Sequence, residues 1–120
     1  MAGTILGTTK KLLGLAEEYT VFDQDIIVFI NNAFFTLHQL GIGPDTPYHI
    51  TDGSAIWESF QGENLDLEAV KTYVYIKTRL MFDPPETSYA REAFEKAAQE
   101  LEWRLNVQVE TFRNLPTVAQ

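Results

Sequence analysis

Three side chains in one stretch of the sequence are of types that can bind a metal ion. His49 lies four residues after Asp45 and three residues before Asp52, in a segment rich in glycine and proline. An imidazole and two carboxylates are donors that a divalent metal accepts, but this spacing matches no known ligand motif. The chain has no cysteine, which excludes disulfides, thiolate catalysis and cysteine-ligated metals. We therefore expect no metal and no cofactor.

The second candidate for chemistry is Asp83, which precedes two prolines in "MFDPPETS". A proline cannot continue a helix, and it pushes the residue before it out of the α region. Asp83 is therefore expected to end one helix, Pro84 and Pro85 to fix a corner, and Thr87 or Ser88 to cap the next helix. This interpretation explains the stretch without catalysis. The sequence also lacks a serine elbow, a paired-acid motif and a phosphate-binding glycine loop. We expect a protein that is not an enzyme, and a small hydrolase is the weakest alternative.

Charge is distributed unevenly along the 120-residue chain, whose net charge is -8. No lysine or arginine lies between Lys11 and Lys71, whereas seven basic and seven acidic residues occur from Lys71 onward. Specific binding of nucleic acid needs a basic footprint for the phosphates, and the sequence offers none. The acidic half indicates either simple solubility or an acidic docking or channel surface. The candidate acidic surface consists of Glu17, Glu18, Asp45, Asp52, Glu58 and Glu63.

Length and hydropathy indicate one folded domain outside the membrane. A chain of this size has room for a modest single core, and 45% of its residues are hydrophobic. No apolar run is long enough to span a membrane. The N-terminal segment lacks the long hydrophobic stretch of a secretory signal. We expect a soluble protein that is made in a cytoplasm.

Hydrophobic spacing predicts an all-α fold, a bundle of four to five helices. The clearest helix covers "DQDIIVFINNAFFTLHQLG", where apolar residues recur at steps of three and four. Asp23 is its predicted N-cap and Gly41 its stop. "TILGTTKKLLGL", "NLDLEAVKTYVYIKTRLMF" and "SYAREAFEKAAQELEWRLN" predict three more helices, and "SAIWESF" one or two turns capped from Thr51 or Asp52. A long loop at 41–53 separates the early helices from the late ones.

The last helix and the residues beyond it differ in pattern. Glu92 with Lys96 and Glu100 with Arg104 are acid-before-base pairs at a spacing of four, which marks the solvent face of a helix. The helical period is lost towards the C-terminus. We therefore divide the chain into a helical domain, 1–108, and an extended C-terminal tail or arm, 109–120.

Aromatic residues point in more directions than one narrow core stripe accommodates. Phe34 and Phe35, for example, are adjacent on a helix and so point in different directions. A wide core and contacts with another subunit are the two interpretations. The candidate contacts for an oligomer or partner are Phe35, Trp57, Phe60, Tyr75, Trp103, Phe112 and Leu115.

The segment "AVKTYVYIKTRLMFDPPETSYAREAFEKAAQELEWRLNVQ", residues 69–108, resembles the head-tail connector (adaptor) proteins of long-tailed bacteriophages. The resemblance is carried by the motifs "YVYIKTRLMFDPP" and "ELEWRLN". Within that family, the segment resembles the small all-helical type that docks below the portal. The N-terminal part, with "DGSAIWESF", fits less specifically.

The resemblance implies a structural protein at the head–tail junction of the virion, present in the host cytoplasm during assembly. It implies a homo-oligomeric ring of about a dozen copies between the portal protein and the next connector, stopper or tail protein. DNA would pass through the ring without specific binding, and the family carries no catalytic motif and no cofactor. A ring of this size would carry roughly a hundred negative charges, enough to shape the field in its channel. The alternative is a small helical regulatory or adaptor protein that acts as a monomer or dimer.

Overall fold

The computed structural model describes residues 3–60 and 66–113, with side chains described as far as Glu110. In these ranges the chain forms four α-helices: α1 (Ile5–Leu13), α2 (Asp23–Gln39), α3 (Leu67–Phe82) and α4 (Ser88–Arg113). A single 3₁₀ turn covers Trp57–Ser59, and the described residues form no β-strand. The predicted all-α fold is confirmed. None of the described helices is both long enough and apolar enough to cross a membrane.

α3 lies between α2 and α4 and runs antiparallel to α2. Phe82, at the C-terminal end of α3, packs against Phe22 and Phe29 at the N-terminal end of α2, with ring centroids 5.3 and 6.4 Å apart. Farther along α2, the side-chain amide of Asn32 lies 3.4 Å from the sulfur of Met81. α3 buries Val70, Tyr73, Val74, Ile76 and Thr78. Because its covered residues lie on a wide arc, α3 is the central helix of the bundle.

α3 is also antiparallel to α4, so α2 and α4 run parallel to each other on either side of it. The ring of Tyr75 packs edge-on against Phe94, with centroids 6.2 Å apart. At the other end of the pair, the Asp66 N–H donates to the side-chain oxygen of Gln108 at 2.7 Å. From Asp66 to Tyr75 along α3, the partner on α4 moves back from Gln108 to Phe94, as antiparallel helices require.

The corner between α3 and α4 is built from Asp83, Pro84 and Pro85, as the prolines predict. Asp83 is the C-cap of α3, and its N–H donates to the carbonyl of Arg79 at 2.9 Å. Pro85 is buried. The hydroxyl of Thr87 accepts the Ala90 N–H at 3.1 Å and so caps α4, which is one of the two caps predicted.

A buried lysine joins α1, the linker that follows it and the start of α2. Lys10 is 2% exposed, and its Nζ donates to the carbonyls of Glu17 and Tyr19 at 2.9 and 2.8 Å. The same nitrogen lies 2.9 Å from Oδ1 of Asp23. The prediction of Asp23 as the N-cap of α2 is wrong, because Phe22 is the N-cap and the Asp23 carboxylate pairs with Lys10 instead.

The predicted stop at Gly41 is confirmed, and it turns the chain into the loop. Gly41 has a φ of 82°, and its N–H donates to the carbonyl of His38 at 2.9 Å. The Ile42 N–H donates to the carbonyl of Leu37 at the same distance, which completes a Schellman-type end. This end satisfies two carbonyls of the last turn and buries Ile42 against the core.

Residues 41–60 form an irregular segment that packs as part of the core. Asn31 on α2 holds the segment through both polar groups of the Ile50 backbone. Its side-chain amide donates to the Ile50 carbonyl at 2.9 Å, and its side-chain oxygen accepts the Ile50 N–H at 2.7 Å. The Trp57 indole N–H donates to the hydroxyl of Thr8 on α1 at 3.1 Å. The predicted cap from Thr51 or Asp52 is wrong, since Ile56 precedes the 3₁₀ turn without a side-chain cap.

α4 is longer than the sequence predicts. The helix continues to Arg113, so the expected extended tail does not begin at residue 109. Two tertiary contacts support this end: Val109 packs against the core, and the amide of Asn106 donates to the Leu40 carbonyl at 2.7 Å. The remainder of the predicted tail, 114–120, lies outside the described residues.

Candidate functional site

Trp57 and Phe60 lie in the core and present no surface to a partner. Trp57 is 0% and Phe60 2% exposed, and both surround Phe34, whose ring centroid is 6.4 Å from that of Trp57 and 4.8 Å from that of Phe60. Gly43 lies so close to Phe60 that a Cβ there would be 2.7 Å from its ring. The structure therefore corrects the prediction that these two side chains contact another subunit. The irregular segment uses them to fill the space beside α2.

Tyr75 also makes its contacts inside the protomer. It is half-buried, its ring packs against Phe94, and its hydroxyl accepts a hydrogen bond from the Arg79 guanidinium at 3.1 Å. Two further predicted contacts cannot be placed: Phe112 lies on α4 but its side chain is outside the described part, and Leu115 is outside the described residues altogether.

The outer face of α2 carries an exposed apolar stripe. Phe35, a predicted contact, is 49% exposed. Val28 lies seven residues before it, and Val21 precedes the helix at the same spacing; both are exposed. Residues seven apart lie on nearly the same side of a helix, two turns apart. We call Val21, Val28 and Phe35 the α2 stripe. The sequence predicts only Phe35 as a contact. The two valines can be recognised as candidate contacts only when the structure shows that they are exposed.

The outer face of α4 carries a second stripe at the same spacing. Trp103, a predicted contact, is 67% exposed, and Tyr89 is 85% exposed. Between them, seven residues from each, lies the exposed Lys96. We call Tyr89, Lys96 and Trp103 the α4 stripe. Large aromatic side chains exposed to this degree are typical of surfaces that meet a partner.

The predicted ion pairs on α4 are formed only in part. Arg104 lies 2.6 Å from the Glu100 carboxylate, as expected for a spacing of four. The predicted pair of Lys96 with Glu92 is absent, and within the described ranges no acidic oxygen lies within 4.0 Å of Lys96. Asp25, which lies beside the α2 stripe, likewise has no ion-pair partner in the described part of the chain.

The predicted acidic surface is exposed wherever the structure describes it. Glu17 and Glu18 lie on the linker between α1 and α2, Asp45 and Asp52 on the irregular segment, and Glu58 in the 3₁₀ turn. Glu63 lies outside the described residues. The backbone of the linker is held in position at Glu17, because its carbonyl accepts from the buried Lys10.

Asp45, His49 and Asp52, the candidate metal ligands, are all exposed on the irregular segment. Asp52 engages its own turn: its carboxylate accepts from the hydroxyl and the N–H of Ser54, at 2.6 and 2.9 Å. The hydrogen bond from the Ser54 hydroxyl is the main cause that holds the pKa of Asp52 below its ordinary value, and the hydrogen bond from the Ser54 N–H lowers it further. His49 is exposed, and the described residues contain no cluster of three side chains that could hold a metal.

The surroundings of Tyr73 oppose ionisation of its hydroxyl. Its hydroxyl donates to Oε2 of Glu102 on α4 at 2.7 Å. Burial is the main cause that raises the pKa of Tyr73 well above its ordinary value, and the hydrogen bond to Glu102 and the carboxylate charge raise it further. The phenol therefore stays protonated and joins α3 to α4 as a donor.

A groove beside α1 is the remaining concave feature that we consider. It is lined mainly by small and polar residues of α1, with Lys11, Glu17 and Lys71 as its titratable groups. A reactive site needs a nucleophile and a base, or an acid and a base, held within hydrogen-bond reach of each other. Of its titratable groups, Lys71 pairs with Glu68 at 2.9 Å, and the described residues form no ion pair between Lys11 and Glu17.

No curated protein matches the sequence, and no solved structure matches it. The model of one protein family, described as phage connector protein, matches residues 5–111. This range includes α1, α2, α3, the irregular segment, the Asp83 corner and nearly all of α4. It extends the resemblance seen over residues 69–108 to the N-terminal half. The chain therefore belongs to the phage connector protein family.

Proposed function

We propose that this connector forms a ring of about a dozen copies below the portal protein and joins it to the next connector, stopper or tail protein. The DNA would pass through the opening of the ring without specific binding. The observation that carries the proposal is the family match over residues 5–111. The protein would act at the head–tail junction of the virion, after assembly in the host cytoplasm.

The exposed surfaces support a docking role. The α2 stripe and the α4 stripe offer apolar and aromatic contact area on two different helices. Two described groups with a perturbed pKa are engaged in structural hydrogen bonds, Tyr73 with Glu102 and Asp52 with Ser54. We therefore propose that the protein works by binding and geometry and catalyses no reaction.

Electron microscopy of lysates from a phage that lacks this gene tests the proposal. We expect heads that lie apart from finished tails, and joined particles again when the gene is supplied in trans. A ring of this protein at the portal of purified heads would separate the connector from a regulatory adaptor. Normally joined particles in the absence of the gene would contradict a connector role and favour the adaptor.

The acidic surface has a separate test within this proposal. Replacing Glu17, Glu18 and Glu58 together by lysine would place positive charge where DNA must slide, and we expect slower DNA ejection. Replacing the same three residues by glutamine is the matched control and should slow ejection much less. If ejection is unchanged and only joining suffers, the acidic surface serves docking and does not line the channel.

A further inference from the structure

The α2 stripe and the α4 stripe share a spacing of seven residues. Each has three members seven residues apart in the sequence. Tyr89 to Trp103 spans 14 residues, or about 21 Å, of α4, whereas in the α2 stripe Val28 and Phe35 lie on the helix, about 10 Å apart, and Val21 lies just before its N-cap. Two helices that pack side by side meet at such intervals, because a seven-residue repeat keeps facing a partner over several turns. The protomer itself pairs neither stripe, since both are exposed on the sides of α2 and α4 that face away from the core.

The two stripes are placed so that they can meet between copies related by rotation. α2 and α4 are parallel and lie on either side of α3, so one protomer presents a different stripe at each flank. A contact between two different surfaces is heterologous, and it closes into a ring when the rotation allows. If the rotation axis lies roughly along the helices, α4 of one copy meets α2 of the next in parallel.

Charge supports the same pairing. When the stripes are aligned, their central members, Val28 and Lys96, lie opposite each other whichever way the helices run. Asp25 lies one turn before Val28 on the same outer face, so its carboxylate is within reach of the long Lys96 side chain. Within the described ranges each of the two charges lacks an ion-pair partner in its own protomer.

We propose, resting on the ring proposed above, that neighbouring copies of this chain bind each other through the α2 stripe of one copy and the α4 stripe of the next, with Asp25 paired to Lys96. The occupant of each stripe is thus a second copy of the same chain. The α4 stripe, about 21 Å long and one helix wide, about 10 Å, has a footprint of about 200 Å². A stable pair buries about 800 Å² on each partner, so this contact holds copies together only in a closed ring or on a portal.

Cross-linking in assembled particles tests this contact. The chain has no cysteine, so a variant with Val28→Cys and Lys96→Cys carries two thiols of known position. Particles from a phage lacking the gene and complemented with this variant are treated with a short bis-maleimide. We expect a ladder of dimers, trimers and higher oligomers on a denaturing gel. The matched control pairs Val28→Cys with Glu95→Cys, which is exposed but about a quarter-turn around α4, and its ladder should be several-fold weaker.

Each contrary result overturns a distinct statement. Joined particles without a ladder, or an equally strong ladder in the control, would overturn the proposed contact and leave the connector role intact. Strong dimers from Val28→Cys alone would show a contact between two identical faces and overturn the heterologous pairing. Joined particles in the complete absence of the gene would instead overturn the connector role itself.

A charge exchange decides the matter if the cysteine variant does not complement. Asp25→Lys and Lys96→Asp should each reduce the yield of joined particles several-fold at low salt, because each places like charges in contact. The double variant restores the pair and should recover most of the yield. Loss in the double variant equal to the sum of the single losses, with circular dichroism unchanged, would overturn the pairing of these two residues.

Discussion

The irregular segment at residues 41–60 and the long regular helix α4 use their tryptophans in opposite ways. Trp57, in the segment with the least regular structure, is 0% exposed and donates to Thr8 on another element. Trp103, in the longest helix, is 67% exposed. The irregular segment therefore completes the core, while the regular helix offers much of its aromatic surface to solvent. Regularity of backbone and burial of side chains are separate properties in this molecule.

The two regions are also held in place differently. Aromatic rings around Phe34 fix the irregular segment, with Tyr48 at 5.0 Å and Phe60 at 4.8 Å between ring centroids. α4 fully buries only the small Ala98 and one large residue, Leu105, among its described side chains, and packs further apolar side chains against the core at its edge. We expect the core segment to control the stability of the fold, and α4 to carry surface that can be changed at little cost in stability.

The largest expected effect comes from emptying the core of the irregular segment. Trp57→Ala should lower the free energy of unfolding by about 3–5 kcal/mol, because it removes a fully buried side chain and leaves a cavity beside Phe34. Urea denaturation followed by circular dichroism measures the change. A loss below about 1 kcal/mol would mean that the segment is not part of the core in solution.

The next largest effect concerns the attachment of the segment to α2. Asn31→Ala should cost about 2 kcal/mol, because it leaves the N–H and the carbonyl of Ile50 without their partners. The neighbouring Asn32→Ala is the matched control, since Asn32 is exposed and makes only the long contact with Met81. It should change the free energy of unfolding by less than about 0.5 kcal/mol. Equal losses in the two variants would contradict the role given to Asn31.

A smaller effect is expected where α4 joins α3. Tyr73→Phe removes the hydrogen bond to Glu102 and should cost about 1.5 kcal/mol at neutral pH. The raised pKa of Tyr73 also predicts the sign of a pH dependence. Its contribution is complete below the ordinary tyrosine pKa of about 10 and is lost as the pH rises further, because the folded protein opposes ionisation of the phenol. Unfolding free energies at about pH 8 and pH 11 should therefore differ more in the wild type than in Tyr73→Phe.

The smallest effect on stability is expected at the exposed tryptophan. Trp103→Ala should change the free energy of unfolding by no more than about 0.5 kcal/mol, because the side chain is largely in solvent. The same variant should reduce the yield of joined particles, since the α4 stripe loses its largest contact residue. A stability loss comparable with that of Trp57→Ala would remove the contrast between the two regions.

Much of the fold could be predicted from the sequence, because a clear helical period of apolar residues shows where in the chain a helix lies. α2, α3 and most of α4 follow that period, and the prolines after Asp83 locate the corner. The last turns of α4 could not be predicted in this way. Valines that alternate there resemble an extended chain, but each added helical residue gains a backbone hydrogen bond, and Asn106 and Val109 gain contacts with the rest of the fold.

The candidate surfaces were harder to predict than the helices. Periodicity identifies the inner, apolar face of a helix, so Phe35 and Trp103 could be recognised as aromatic residues that lie off that face. Trp57 and Phe60 lie in a segment without a period, where nothing local indicates whether an aromatic ring is covered. Asp23 was misassigned for a similar reason, because its partner Lys10 lies 13 residues away and is brought to it only by tertiary packing.

The buried Lys10 makes the junction of α1 and α2 accessible to chemical measurement. Its nitrogen is enclosed by two carbonyls and a carboxylate, whereas the adjacent Lys11 is exposed. An amine-reactive reagent should therefore label Lys11 at once and Lys10 only when the junction opens. The ratio of the Lys10 labelling rate to the Lys11 labelling rate therefore measures how often the junction opens, with Lys11 as the reference in the same sample.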